Sequence, residues 1–135
     1  MPAIKFPARF EFLDEIRDYV GKKARTARFT DKDVYSIQLA TDEAASNIIE
    51  HAYSGIPDAH LELTCAFEQN KLIITLLDHG KPFDFSSVEN PDLTADLSHR
   101  KIGGLGIYLM RQLMDEVRYE VTKSGNVLTL IKLRD

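Results

Sequence analysis

Cysteine, long apolar runs and excess positive charge are all scarce in this 135-residue sequence. The single cysteine, Cys65, excludes a disulfide within the chain and fits a reducing compartment. The longest aliphatic run, LIITLL, is far shorter than the roughly 20 apolar residues of a membrane helix. The N-terminal residues MPAIKFPARFEF lack the basic-then-apolar pattern of a secretion signal. We therefore expect a cytoplasmic protein that does not bind membranes.

The net charge of −4 argues against direct binding to nucleic acid. Apolar residues make up 44% and charged residues 28% of the chain, which is ordinary for a soluble globular protein. No repeat, low-complexity tract or linker is visible. The length predicts one domain, residues 1–135, with a substantial hydrophobic core.

The hydrophobic periodicity predicts the element order β-α-α-β-β-loop-α-β-β. This order is typical of an α/β two-layer sandwich, in which a mixed, mostly antiparallel sheet carries its helices on one face. In chain order the predicted elements are an edge strand at 3–8, a helix from about Phe10, a helix from a cap at Thr30 to about Ala52, two strands joined at Gln69 and Asn70, a polar loop at 84–102, a helix within 103–117, and a hairpin around Lys123 to Asn126.

The glycine-rich stretch GGLGIYLMRQLMDEV, residues 103–117, predicts a loop that turns into a helix. Apolar residues follow the glycines at four-residue steps, at Leu109, Leu113 and Val117. A helix start presents unpaired N–H groups and a positive partial charge, and glycine lets a ligand approach that backbone. The stretch therefore indicates either an anion site, most often for phosphate, or a glycine-rich turn before a core helix.

The second predicted helix carries a polar stripe in which Glu43, Asn47 and either Glu50 or His51 are spaced by four and then three or four residues. Such a stripe beside an apolar face is either a metal or catalytic surface or a solvated face.

Asp78 ends the apolar strand LIITLLD, where a carboxylate is costly to desolvate unless it meets a donor. Gly80 would let a flat ring come close to this strand end. A turn aspartate is the competing interpretation.

Three motifs occur in a defined order along the chain. They are E-x-x-x-N-x-x-x-H at Glu43, Asn47 and His51, D-x-G-x-P-F-D from Asp78 to Asp84, and G-G-L-G from Gly103 to Gly106. Together they resemble the Bergerat ATP-binding fold shared by gyrase, heat-shock chaperones, sensor histidine kinases and mismatch-repair ATPases. Within that superfamily the chain most resembles the small bacterial anti-sigma-factor serine kinases of the RsbW type, from about residue 30 to the C-terminus.

The resemblance implies a role for each matched residue. Glu43 matches the general base, and Asn47 matches the ligand of a Mg²⁺ ion that bridges the ATP phosphates. Asp78 matches the carboxylate that accepts from the adenine amino group, and Gly80 the residue beneath the base. The phosphate loop corresponds to Gly103, Gly104, Leu105 and Gly106.

The resemblance also assigns 86–102 to a lid over the phosphates, with Arg100 and Lys101 as reasonable phosphate contacts. The chain departs from the family pattern at two positions. Pro82 stands where several members have glycine, and Asn126 stands where many have a threonine near the adenine. Asn126 could offer the hydrogen bonds of that threonine.

The implied function is that of a serine/threonine protein kinase. It would bind ATP and Mg²⁺, sequester a sigma factor, phosphorylate an anti-anti-sigma antagonist on serine, and form a homodimer. The main alternative is a nucleotide-binding regulatory module of the same fold without kinase activity. Two further alternatives are the ATPase module of a sensor histidine kinase and a metal-dependent hydrolase using His51, His79 and Asp78.

Overall fold

The structure, a computed structural model, describes residues 3–53, 56, 58–82 and 104–135, and describes 104 and 105 by their backbone alone. Its elements are β1 Ile4–Pro7, a 3-10 turn Phe10–Phe12, α1 Leu13–Thr26, α2 Asp31–Asn47, a π-helical turn Ile48–Ala52, β2 His60–Glu68, β3 Lys71–Asp78, α3 Gly104–Leu113, β4 Glu116–Thr122 and β5 Gly125–Leu133. The predicted order of helices and strands is confirmed for the described residues. The predicted loop 84–102 lies outside them.

The five strands form one sheet in the order β1-β2-β3-β5-β4, so β1 is an edge strand as predicted. All four described pairings are antiparallel, and the parallel pair that a mixed sheet would contain does not occur among them. The β2–β3 hairpin turns at Gln69 and Asn70, whose φ angles of 52° and 62° are both positive. Short hairpin turns of this kind join antiparallel neighbours, which is why the sheet needs no crossover at this point.

The core lies between one face of the sheet and the helices. Along β3 the side chains of Leu72, Ile74 and Leu76 are fully buried, whereas those between them are only partly buried. This alternation shows that a helical layer covers one face of the sheet. The spacing of apolar residues along the second helix predicts one buried face, and all six of its residues are buried, namely Val34, Ile37, Thr41, Ala44, Ile48 and Ala52.

The start of α2 is capped as the sequence predicted. The Thr30 hydroxyl accepts a hydrogen bond from the Asp33 N–H at 3.2 Å. At its other end the helix does not stop but widens into the π-helical turn, which the Tyr53 N–H closes by donating to the Ile48 carbonyl at 3.1 Å. Periodicity predicted the end of this helix near Ala52 but contained no sign of the wider turn.

The predicted helix within 103–117 extends too far. The Met114 N–H completes the last turn by bonding to the Met110 carbonyl, and the Asp115 N–H already pairs with Ile131 of β5. Val117 therefore lies in β4, opposite Leu130. Its four-residue spacing from Leu113 was misleading, because a strand residue can face the same core as a preceding helix.

None of the helices in the described ranges is long and apolar enough to cross a membrane.

Candidate functional site

Glu43 and Asn47 lie one turn apart on α2 and face the first turn of α3. A Cβ atom built on Gly106 would lie 2.9 Å from Glu43 Oε2 and 3.5 Å from Asn47 Nδ2. The missing side chain at Gly106 thus lets the start of α3 approach both polar groups. The structure brings together the predicted base, the predicted metal ligand and the end of the predicted phosphate loop.

The carboxyl group of Glu43 sits in an environment that favours its protonated form. Burial is the main cause of its raised pKa, and the neighbouring carboxylates of Asp42 and Glu50 add to it. Burial also raises the pKa of Asp42, against which Arg17 acts from 4.0 Å. A carboxyl with a raised pKa holds a proton more readily, which is a property of general bases.

Asp78 is 3% exposed at the end of β3, and its carboxylate meets the donors that burial requires. Its Oδ1 accepts from the Gly80 N–H at 2.9 Å and from Asn126 Nδ2 at 2.8 Å. The bond to Gly80 makes Asp78 a turn aspartate, as the competing interpretation proposed. The same residue also lines a cleft, so the two interpretations are compatible.

The chain after β3 packs directly on the π-helical turn. The Lys81 N–H donates to the Ala52 carbonyl at 2.9 Å, and the His79 N–H donates to the Tyr53 hydroxyl at 2.6 Å. A Cβ atom on Gly80 would lie only 2.3 Å from that Ala52 carbonyl oxygen. In the structure the missing side chain at Gly80 therefore makes room for backbone, and its place beneath a base stays a prediction.

A cleft extends between α2, α3 and the sheet, with about 380 Å³ of empty space when the solvent at its mouth is included. Asn47 and Asp78 both line it, which links the two halves of the predicted site. The other lining residues are Ala44, Ile48, Ala52, Lys81, Ile107, Met110, Tyr119 and Leu128. A mostly apolar cleft with a few polar groups is the usual form of a small-molecule site.

Several residues that line the cleft were not predicted from the sequence. Ile107 and Met110 had a signal, since they share the buried face of α3, and Leu128 had one through its alternation with Asn126. Tyr119 and Lys81 had none, because only the folded chain brings β4 and the segment after β3 to the cleft.

Some predicted site residues lie outside the described residues. They are Arg100, Lys101 and Gly103, together with the lid segment 86–102. Gly104 and Leu105, which the resemblance assigned to the phosphate loop, begin α3, so the helix starts within the glycine motif. His51 lies in the π-helical turn, 3.6 Å from the Glu50 carboxylate.

The amide oxygen of Asn47 suits Mg²⁺, which is usually held by one or two protein oxygens and takes its other ligands from water and phosphate. No three His, Cys, Asp or Glu side chains of the described ranges come together as a metal cluster. The metal-dependent hydrolase with His51, His79 and Asp78 therefore has no geometric support there.

A model of the histidine kinase-like ATPase domain matches residues 6–132. The chain belongs to this family. The match covers the α2 pair, the cleft and the last hairpin, so the Bergerat-type fold expected from the three motifs is confirmed.

Curated proteins that are similar to this chain include serine-protein kinases. It is 29% identical over 119 residues to the serine-protein kinase RsbW of Bacillus thuringiensis, covering 85% of this chain and 74% of that one. It is 32% identical over 121 residues to RsbW of Bacillus cereus strain G9842, with the same coverage. The expected likeness to the RsbW type is confirmed.

Solved structures of this family share the fold. The RsbU and RsbW domains of a Mycobacterium tuberculosis protein superpose with a TM-score of 0.63 at 15% identity, covering 99% of this chain and 33% of that one. The catalytic domain of the histidine kinase ThkA superposes with a TM-score of 0.60 at 16% identity, covering 99% and 97%.

Proposed function

We propose that this protein is a serine/threonine protein kinase that binds ATP with Mg²⁺ in the cleft and transfers the γ-phosphate to a partner protein. The observation that carries the proposal is the convergence of Glu43 and Asn47 on Gly106 at the start of α3. A carboxylate base, an amide oxygen and a helix N-terminus are what positioning and charge stabilisation of a phosphoryl group require. The RsbW relatives, named serine-protein kinases, support the same conclusion.

Asp78 and the apolar cleft would hold the adenine. The buried carboxylate would accept from the exocyclic amino group, while Ile48, Met110 and Leu128 give the base apolar walls. A hydrogen bond between a purine and a buried, oriented charge contributes about 1–3 kcal/mol, which corresponds to roughly tenfold to a hundredfold in affinity.

Asn47 would bind the Mg²⁺ ion through its amide oxygen, and the ion would neutralise phosphate charge. The backbone N–H groups at the start of α3, from Gly104 to Gly106, would donate hydrogen bonds to phosphate oxygens. Gly103 belongs to this part of the proposal through its match to the glycine motif of the family. Arg100 and Lys101 are proposed as phosphate contacts from the lid, where no motif assigns them.

Glu43 would take the proton of the acceptor serine hydroxyl. As the serine oxygen forms its bond to the γ-phosphorus, the bond to the β-phosphate oxygen breaks, ADP leaves, and the proton resides on the Glu43 carboxylate. The raised pKa of Glu43 makes it a better proton acceptor than an ordinary surface glutamate.

The partners proposed for this kinase follow from its RsbW-type likeness. They are a sigma factor that the protein sequesters, an anti-anti-sigma antagonist that it phosphorylates on serine, and a second copy of the chain in a homodimer. We place the protein in the cytoplasm, with no direct binding to nucleic acid or membranes.

A paired experiment tests the proposal. Calorimetry with Mg-ATP should show binding to the wild-type protein, and purified antagonist should acquire label from γ-labelled ATP. Glu43→Ala should bind ATP nearly normally and transfer phosphate about 10²–10⁴-fold more slowly, while Asn47→Ala should bind ATP less tightly. Binding without transfer to any antagonist encoded nearby would instead favour the regulatory module without kinase activity.

A further inference from the structure

Asn126 stands opposite Asp78 in the β3–β5 pairing, and its side chain is almost completely buried, with 3% exposed. Its amide nitrogen donates two hydrogen bonds. One goes to Asp78 Oδ1 at 2.8 Å, and the other goes to the Gly80 carbonyl at 3.0 Å. The amide thereby holds both ends of the Asp78–Gly80 turn.

The chemistry of the two partners determines which way the amide points. A carboxylate oxygen and a backbone carbonyl only accept hydrogen bonds, so the atom between them must be the NH₂ group. Both of its N–H donors are therefore in use. Asn126 has no donor left for a nucleotide base, unlike the threonine hydroxyl that it was expected to replace.

The carboxylate of Asp78 is correspondingly restricted. Its Oδ1 accepts from both Asn126 and the Gly80 N–H, which accounts for the two lone pairs of that oxygen. A ligand in the cleft is left with Oδ2.

From these contacts we infer that Asn126 is a positioning residue for base selection. Its amide holds the Asp78 carboxylate in one orientation, so that Oδ2 alone accepts a hydrogen bond from the ligand. The site thereby selects a 6-amino purine over a 6-oxo purine. This inference rests on the proposed ATP site. A 6-oxo purine presents a carbonyl where the 6-amino purine presents N–H, and a fixed carboxylate opposite that carbonyl is unfavourable. Without the amide, Asp78 can turn toward the N1–H donor of a 6-oxo purine, and the discrimination falls.

The test compares ATP and ITP, whose bases differ at the 6-position, by calorimetry with Mg²⁺ on the full chain. The wild-type protein should prefer ATP by about tenfold to a hundredfold. Asn126→Ala should lose most of that preference. Thr129→Ala serves as the control, because Thr129 lies on the same strand at a position that does not line the cleft. Asn126→Thr restores one donor and should recover part of the preference for ATP. This variant also tests the inference if Asn126→Ala does not fold.

Asn126→Asp adds a readout that a purely structural role would not move. This change keeps the size of the side chain but removes the NH₂ group that donates to Asp78 Oδ1 and to the Gly80 carbonyl. The variant should therefore lose most of the ATP preference, as Asn126→Ala does.

The outcomes are distinguishable. A wild-type protein that binds neither nucleotide would overturn the proposed function and this inference with it. A wild-type preference for ATP that Asn126→Ala or Asn126→Asp retains in full would overturn the inference alone.

Discussion

Because Gly106 has no side chain, the Glu43 carboxylate can lie against the start of α3. A Cβ at this position would come within 2.9 Å of Glu43 Oε2, which is the far end of a flexible side chain. Gly106→Ala should therefore fold, since the carboxylate can move away, and should lower phosphate transfer by at least tenfold because the base is displaced. Transfer rates and thermal melts of the purified variant measure the two effects.

Gly21→Ala is the matched control for that variant. Gly21 also lies within a helix and faces a flexible side chain, that of Gln38, but it is remote from the cleft. The control should keep the wild-type transfer rate. If Gly106→Ala transfers phosphate as fast as the control, Glu43 does not act from the position seen in the structure.

The titration of Glu43 should determine how the rate of phosphate transfer falls at acid pH, which is the acid limb of the pH profile. Burial and then the charges of Asp42 and Glu50 raise its pKa, so transfer should decline as pH falls through that raised value. Glu50→Gln removes one of the charges, and the acid limb should move to lower pH. Glu116→Gln, at an exposed position of β4 that does not line the cleft, should leave it in place. If the acid limb of the pH profile does not move in Glu50→Gln, the titrating group is not Glu43.

The same shift has a consequence for stability. Because the pKa of Glu43 is higher in the folded than in the unfolded chain, the folded state binds its proton more tightly. Ionisation therefore costs folding free energy, and this cost grows as pH rises from the unfolded to the folded pKa. Glu43→Gln should accordingly gain stability relative to wild type as pH rises through that window, measured by urea denaturation at each pH.

On the scale of elements, the π-helical turn and the segment after β3 form one unit. The Lys81 N–H donates to the Ala52 carbonyl, and the His79 N–H donates to the Tyr53 hydroxyl. Gly80 lies against Ala52 with no space for a side chain. A wide turn of this kind at the end of a helix is often found at functional sites. Here it sets the distance between α2, which carries Asn47, and the strand end that carries Asp78.

Gly80→Ala should break this unit. The added methyl would meet backbone, which cannot move aside as a side chain can, so we expect a loss of about 1–3 kcal/mol in the free energy of unfolding. ATP affinity should fall as well, because the Asp78 turn must shift. Chemical denaturation and calorimetry measure the two quantities, and Gly21→Ala again provides the control. Wild-type values for both would show that Gly80 is not packed as described.

On the scale of the whole molecule, Arg134 joins three distant parts of the chain. Its guanidinium donates to the Ala27 carbonyl and to Asn70 Oδ1, both at 2.9 Å, and lies 4.9 Å from the centre of the Phe67 ring. The end of α1, the β2–β3 hairpin and the C-terminal segment are thus held by one planar group. This cluster is at the opposite end of β3 from Asp78, since Lys71 begins that strand and Asp78 ends it.

Arg134→Ala should therefore destabilise the protein without changing the site. We expect a loss of about 1–3 kcal/mol and unaltered ATP affinity, with Arg134→Lys nearly as unstable because lysine lacks the planar fork. Denaturant unfolding and calorimetry test the two halves. An equal loss of nucleotide affinity would contradict the separation of this cluster from the cleft.

The buried thiol of Cys65 offers a readout of global unfolding. It is 1% exposed, and burial raises its pKa to about 11. A thiol reagent at neutral pH should label it only in opened molecules, and Mg-ATP should slow the labelling because it stabilises the folded state. Fast labelling that ATP leaves unchanged would mean that this part of the core opens locally.

The sequence by itself determined the order of the elements, the buried face of the second helix, the Thr30 cap and the family. Each of these depends on local periodicity or on residues close together in the chain. Local patterns carry that information because side-chain spacing of 3.6 or 2 residues decides which face is buried. Where two elements share one core, as at Leu113 and Val117, spacing alone misplaced the end of α3.

Only the tertiary structure decided how the site is assembled. Asn126 and Asp78 are far apart in the chain, and their hydrogen bonds exist because β3 and β5 pair in one register. The role of Gly80 likewise depends on a π-helical turn that no periodicity indicated. Contacts between distant segments follow from packing and register, which single-chain spacing does not encode, and these contacts orient the groups that would recognise a nucleotide.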